Sequence, residues 1–560
     1  MNRNSESHFA NNPTMDINRS KFDRSFTNKT TFNTGDLIPI FVDTTIMPGD
    51  TVKMRTSEIV RMMTPATPVM DNANLDTYFF FVPYRLIWDH WQRFMGENDT
   101  APWTQTTEYE IPQIVAPDDG WHKGSLADYM GYPTEVASYK ASALPFRAYC
   151  AIYNSWFRDE NLKNPCYISM GDSDITGTDK TTLSTSYDYV VDTEKGAAPV
   201  KAAKYHDYFT ACLPGAQKGP AVNVPLGQTA PVIWEESNWP TINLPNGMKG
   251  ESVAVTSNTG SNLVIGTNKT SSNINIPTGS PASGALVTDL SQAVGATINQ
   301  LRQAFAIQKF YERQALGGTR YIEMIKSHFD VTNPDFRMQR PEYLGGERIP
   351  INMNQVIQSN PATPIDTDEL TTPLGTTGAY SVTSNVNEDL FTHSFTEHGI
   401  LMGLAVVRTV HTYQQGLNRM FSKKKMTDFY FPEFANLGNQ AVLNKEIYCQ
   451  APTVVDADGN VINEQAFGYQ EAWACERYFP DIVTGEMRSN YAQSLDVWHY
   501  ADDYSALPSL GDVWIDETEA NVARTLLEQE HDQLMGDFYF GCIYTRPMPL
   551  WSVPGLIDHH

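Results

Sequence analysis

Residues 31–91 read TFNTGDLIPIFVDTTIMPGDTVKMRTSEIVRMMTPATPVMDNANLDTYFFFVPYRLIWDHW, and three extended runs within them decide the fold. Leu37–Ile46 and Thr51–Val60 flank Pro48-Gly49. Proline presets the first central position of a turn, and glycine supplies the positive φ that a type II turn needs at the second. A proline-rich crossing leads to the third run, Tyr78–Pro83, which is apolar at consecutive positions. An antiparallel strand with one face in water alternates, so this strand is expected to be covered on both faces. The cover is either a second layer of its own chain or another subunit.

Composition agrees with many short strands joined by turns. The 560 residues include 34 Pro, 36 Gly and 11% aromatic side chains, and the length is ample for a large core. The longest apolar stretch, Gly399–Val407, is sized for a strand or core helix and not for a membrane span. The opening MNRNSESHFANNP lacks an apolar signal segment, so export by that route is not expected. Six cysteines, Cys150, Cys166, Cys212, Cys449, Cys475 and Cys542, show no metal-type spacing and read as free thiols of a reducing cytosol. The net charge of −25 excludes a chain whose whole surface binds nucleic acid. The first 35 residues run against that trend, because Arg3, Arg19, Lys21, Arg24 and Lys29 outnumber Glu6, Asp16 and Asp23.

Residues 1–36 read as an N-terminal arm, polar and irregular over 1–30, that orders only against a partner. The main domain is expected over 37–560, with an extended docking segment at 546–560. Helices are few. Leu144–Phe157 places Tyr149, Ile152, Tyr153 and Trp156 on one stripe, with Pro145 in its first turn. Leu290–Leu316 carries a capping-box pattern at Asp289 and Gln292, an expected buried face at Ile298, Leu301 and Phe305, and a stop at Gly317-Gly318. Leu86–Met95 is expected to form a short helix. No arginine occurs between Arg158 and Arg302, and Gly250–Ala285 is dominated by Ser, Thr, Asn and Gly. The region 168–289 is therefore expected to be a surface insertion, most variable over 235–285. Small hairpins are expected at Ser252–Val255, Leu263–Ile265 and Ile274–Ile276.

The catalytic motifs that define common hydrolases and nucleotide-binding enzymes do not occur, so no catalytic, metal-binding or cofactor residue is assigned. Asp172, Asp174 and Gly177 begin like a calcium loop, but position twelve is Leu183. Asp456, Asp458 and Gly459 read as a hairpin turn between apolar runs. His393, Glu397 and His398 could form a proton relay, yet their alternating segment suits ordinary cross-strand contact. Trp234, Glu235, Glu236 and Trp239 motivate an alternative reading as an all-β carbohydrate-active enzyme, although adjacent carboxylates do not establish facing geometry. Leu417–Phe431 joins Arg419, Lys423, Lys424 and Lys425 to Phe421, Phe429 and Tyr430. Cations for phosphates and aromatic faces for bases suit single-strand binding, against the plainer reading of a solvated basic turn. The C-terminal run bears Leu550, Trp551, Val553, Leu556 and Ile557 among three prolines and must dock on its own or another subunit.

The wording of several segments resembles the major capsid protein of small single-stranded DNA bacteriophages, the gokushovirus branch of the microviruses. FDRSF at Phe22–Phe26, KTTFNTGDLIPIFVD at Lys29–Asp43, MPGDT at Met47–Thr51 and FFFVPYRLIWDHW at Phe79–Trp91 carry it at one end. It continues through INQLRQAF, GGTRYIE, RPEYLGG, SFTEHG, YQQGLNRM, VLNKEIY and FGYQE, and closes on RPMPLWSVPGLIDHH at Arg546–His560. The resemblance implies a mainly β fold, the eight-stranded antiparallel viral jelly roll with long loop insertions and a few helices. It implies a homo-oligomeric T=1 icosahedral shell around a circular single-stranded DNA genome, assembled in the bacterial host cytoplasm. Partners implied are an internal scaffolding protein, a DNA pilot protein, small DNA-binding virion proteins and a host surface receptor, with no membrane. The 235–285 loop would form three-fold protrusions for host attachment; a free host-adhesion protein is a further alternative. On this reading Arg19, Lys21, Arg24 and Lys29, with the Arg419–Lys425 group, would line the interior, and the C-terminal run would dock on a neighbour.

Overall fold

Pro48 and Gly49 occupy the centre of a turn closed by the Asp50 amide donating to the Met47 carbonyl at 3.0 Å, with Gly49 at φ 90°. The strands on either side do not pair with each other. The turn instead carries the chain from one sheet to a second. The computed structural model describes residues 18–97, 109–220, 298–317, 320–332, 339–357 and 377–551, with isolated residues and short strands between them.

Nine strands build the two main sheets: β1 (Ser20–Asp23), β2 (Phe26–Phe32), β3 (Ile38–Ile46), β4 (Thr51–Met62), β5 (Ala73–Pro83), β6 (Glu342–Pro350), β7 (Thr383–Ser394), β8 (Gly399–Thr409) and β9 (Leu534–Arg546). In the first sheet β9 pairs with β1 and β2 on one side and with β4 on the other, and β4 then pairs with β7. The second sheet has the order β6-β5-β8-β3. Every one of these pairings is antiparallel. The molecule is thus mainly β, with few helices.

Alternation explains the first sheet. In β4, Val52, Met54, Val60 and Met62 turn inward while Lys53, Arg55 and Arg61 face water. In β9, Phe538, Phe540, Cys542 and Tyr544 are the inward set. They meet Phe41, Phe79 and Leu401 of the second sheet in one continuous core, where the Phe41 and Phe540 rings lie 5.2 Å apart edge to face. Such contacts each contribute about 0.5–1.5 kcal/mol beyond simple burial.

The expected double cover of β5 is present, and it comes from the chain itself. Phe79 and Phe81 enter the core between the sheets, while Phe80 and Val82 enter a second core behind. That second layer includes α1 (Leu144–Ile152), with Phe146, Tyr149 and Ile152, together with Trp88 and Trp121. The expected helix to Phe157 changes after Ile152 into a wider π turn over Tyr153–Phe157. A third, smaller core gathers Tyr208, Phe209, Tyr413, Phe467 and Trp514 beneath the loops that follow β8.

Four expectations need correction. The N-terminal arm over 1–36 is not wholly partner-dependent: Ser20–Phe32 forms β1 and β2 on its own sheet, pairing with β9 and turning Phe22, Asn28, Thr30 and Phe32 inward. Residues 1–17 lie outside the described set. The insertion also begins later than 168. Arg147 of α1 is fully buried, donates to the carbonyls of Ile87 and Gly171, and reaches Glu194 at 3.2 Å, so residues 168–218 are integral to the main unit. Gly219–Tyr311 instead forms a separate compact unit, in which Val232–Trp234 pairs with Leu286–Thr288 and Ala254–Ser257 with Leu263–Gly266. Leu86–Met95 is helical only over the single turn Trp91–Phe94, after a 3-10 turn at Tyr84–Leu86 that ends where the expected helix begins. Lastly, helix Ile298–Leu316 leaves two residues of the expected buried face open, Leu301 and Phe305 being 37% and 63% exposed in the single chain. Helical spacing identifies an apolar stripe without identifying what covers it. Asp289, Gln292 and Ile274–Ile276 lie outside the described residues.

Candidate nucleic-acid and subunit-contact surfaces

Of the N-terminal cations, two are structural clamps. Arg19 donates to the Gly49 carbonyl, to Thr51 Oγ1 at 2.9 Å and to the Thr545 carbonyl at 3.3 Å, which fixes β1 over the β3–β4 turn. Arg24 pairs with Asp43 Oδ2 at 2.7 Å and lies 4.8 Å from the centre of the Tyr544 ring. Burial pushes the Asp43 carboxyl upward, but hydrogen bonds from Tyr544 and Thr45 and the Arg24 charge outweigh it and hold the pKa below the usual value. Lys21 and Lys29 remain outward-facing, Lys29 with only a loose contact to Asp537 at 3.8 Å. Lys29 also edges an open groove of about 1110 Å³ between β2 and β3, which includes Phe26, Arg61, Lys123 and Asp537.

The second group divides in the same way. Asn418 caps a 3-10 turn at Arg419–Phe421, and Arg419 turns back to donate to the Ala441 carbonyl at 2.8 Å and to Glu446 at 3.3 Å. Lys423 pairs with Glu476 and sits 5.0 Å from the Phe429 ring centre. The backbone amides of Lys424 and Lys425 both donate to Asp428 Oδ2 at 2.8 Å, which sharpens the turn and leaves both ammonium groups exposed. These two bonds hold the Asp428 carboxyl below its ordinary pKa. Phe421, Phe429 and Tyr430 are 71%, 52% and 49% exposed beside them. Exposed cations and aromatic faces on one surface can contact phosphates and stack on bases together. An adjoining cleft of about 220 Å³ is lined by Tyr208, Phe209, Tyr413, Arg419 and Arg488. The two cationic groups rest on different supports, the first on β9 and the β3–β4 turn, the second on the third core.

The C-terminal run separates at the end of β9. Arg546 belongs to the sheet, with its guanidinium 3.1 Å from Asp50 and donating to the Thr45 carbonyl. Leu550 and Trp551 lie beyond it, 57% and 77% exposed. Val553, Leu556 and Ile557 are outside the described residues.

The acidic and histidine motifs have ordinary structural work. Asp172 accepts from the Trp88 indole at 2.7 Å and contacts His90, and Asp174 pairs with Lys140. Asp456 accepts the amides of Asp458 and Asn460 within a turn closed by a Val455–Val461 bridge. Glu397 receives two hydrogen bonds from Arg85, and His393 stands 3.7 Å from Glu342. Glu235, Glu236 and Trp239 are outside the described residues. The six cysteines carry no disulfide, and no described helix is long and apolar enough to cross a membrane. Sequence reasoning missed Glu58, a carboxylate inside the main core; its place on the inward parity of β4 was the available signal.

The two-sheet molecule leaves Leu550 and Trp551 exposed and carries an exposed cation–aromatic surface around Phe421–Tyr430. The sequence pattern of the family described as "Capsid protein (F protein)" matches residues 10–556. Capsid protein VP1 of Bdellovibrio phage phiMH2K is 42% identical over 99% of this chain and 98% of its own length. The proteins of the same name from Spiroplasma virus 4 and Chlamydia phage 1 are 39% and 38% identical, covering 94% and 98% of this chain and 93% and 97% of their own. The chain belongs to this phage capsid protein family. Its role is that of a major capsid protein, a structural component of the virion whose copies assemble into a shell.

Proposed function

We propose that this capsid protein closes into a T=1 icosahedral shell around a circular single-stranded DNA genome, with an eight-stranded jelly roll as its wall. One observation carries the jelly-roll reading. From β2 to β9 the pairings nest, β2 with β9, β3 with β8, β4 with β7 and β5 with β6, while the chain passes between the two sheets. A long hairpin rolled upon itself produces that order. Lys21, Lys29, Lys424 and Lys425, with Phe421, Phe429 and Tyr430, are the groups suited to meet DNA on the inner surface; Arg19, Arg24, Arg419 and Lys423 support them. The 235–285 segment supplies outward protrusions at three-fold axes for host attachment, and Leu550, Trp551, Val553, Leu556 and Ile557 dock on a neighbouring subunit. Assembly takes place in the host cytoplasm with an internal scaffolding protein, and the pilot and small DNA-binding proteins join the particle.

Electron microscopy of the protein co-produced with its scaffolding partner tests this directly. Uniform closed particles with sixty copies, the number that defines T=1 symmetry, are expected (about sixty by mass). Open sheets, larger shells or isolated subunits under every salt condition would exclude the proposed geometry. Replacing 250–285 is expected to change host attachment while particles persist.

A further inference from the structure

Strand β4 alternates, and its inward parity runs Val52, Met54, Thr56, Glu58, Val60, Met62. Glu58 therefore stands where an apolar residue would be expected. It is 1% exposed, and neither carboxylate oxygen has a hydrogen-bond partner. A buried carboxylate in that condition is costly unless something compensates it.

The neighbours share its face. Thr56 stands opposite Asn387 and Glu58 opposite Asn385 in the β4–β7 register, so these four side chains point the same way. Glu347, from β6 of the other sheet, meets them. Its Oε1 accepts from Thr56 at 3.2 Å, and its Oε2 accepts from Asn385 at 2.7 Å and Asn387 at 3.4 Å. Two carboxylates thus face one polar set, without a paired cation on Glu58. We propose that Glu58 and Glu347, with side-chain oxygens of Asn385, Asn387 and Thr56, hold a divalent cation of the calcium type between the two sheets.

The donor set is all oxygen, which suits hard cations that take six to eight ligands (roughly, for calcium) and not zinc. Rotation of either amide about its last torsion exchanges NH₂ for the carbonyl oxygen that a cation needs. No group of three or more His, Cys, Asp or Glu is gathered among the described residues, so neutral oxygens must supply the rest of the shell. Few charges on the ligands place affinity in the weak range, about 10⁻⁴–10⁻³ M. β6 and β7 are edge strands of opposite sheets, so a cation here fastens that margin of the sandwich.

The test uses the purified full-length protein, stripped with EGTA and titrated with calcium chloride near neutral pH. Calcium at about 10 mM is expected to raise Tm by a few degrees, with about one more calcium ion per chain than Glu58→Gln binds. Glu58→Gln, which keeps the side-chain shape, is expected to fold and to lose this response, as is Glu347→Gln. A calcium response equal in the wild type and Glu58→Gln would overturn the assignment. So would a wild-type Tm and calcium stoichiometry that do not respond to calcium.

Discussion

His411 shows how single residues hold the loops to the sheets. It lies just past β8, fully buried, with Nδ1 3.0 Å from Asp502 and Nε2 3.1 Å from Glu517. Burial alone would lower its pKa, but the two carboxylates outweigh it and raise it to about 9. A raised folded-state value means the stabilisation is complete below about pH 6.5 and fades as pH climbs through about 9. His411→Ala removes the shared cation from two buried carboxylates and is expected to cost about 3–5 kcal/mol in unfolding measurements below neutral pH, with a smaller penalty above pH ~9. Lys424 and Lys425 follow the opposite logic, since their side chains face water. Charge reversal of both is expected to leave Tm within about 2 °C yet reduce DNA crosslinking and genome content; unchanged crosslinking would reject their role. Legibility differed in the same way. The exposed pair was visible as a cation run among aromatics. The commitments of Arg24, Arg419 and Lys423 were not, because Asp43, Glu446 and Glu476 lie 19, 27 and 53 residues away. Glu58 was readable from parity alone.

Strand β5 is the element on which both layers depend. Phe79 is fully buried and its ring neighbours Phe41, Phe391 and Phe540 from three other strands, while Phe80 serves the opposite face against Trp156 and Phe157. Phe79→Ala is expected to destabilise by about 3–5 kcal/mol, whereas Phe421→Ala, at an exposed position, should stay within about 0.5 kcal/mol. Comparing their melting curves checks both. Gly403 of β8 completes the packing, because a Cβ there would stand 2.7 Å from the Phe79 ring. The doubly apolar run announced β5 unambiguously, and Pro48-Gly49 announced the turn before β4. The helix Ile298–Leu316 announced itself too, but its partner did not: Leu301 and Phe305 carry the spacing of a buried face in a chain that leaves them open. Periodicity is local information, and cover is supplied from elsewhere.

At the scale of the whole molecule, the margins matter most. Phe421, Met426, Tyr478, Phe479, Ile482 and Trp551 are all more than half exposed, large apolar side chains left in water by the single chain. In a shell-forming family these are surfaces that association can remove from water. Truncation after Leu550 is expected to preserve the sheet content, seen by circular dichroism, and to abolish closed particles by light scattering; particles of normal size would show the C-terminal run to be dispensable. Sequence wording made the family legible across nearly the whole chain, whereas the nested pairing became visible only in three dimensions, since Phe26 finds its partner at Phe540. That pairing has a consequence for synthesis. The first sheet lacks a strand that pairs β2 with β4 until Leu534–Arg546 has left the ribosome, about half a minute to two minutes after translation starts at ordinary elongation rates. From its own emergence until then, β4 lacks its β9 neighbour and offers that open edge to other nascent copies on the same message. A chaperone or a viral helper that shields this edge during elongation would decide how many polypeptides reach the particle instead of an aggregate.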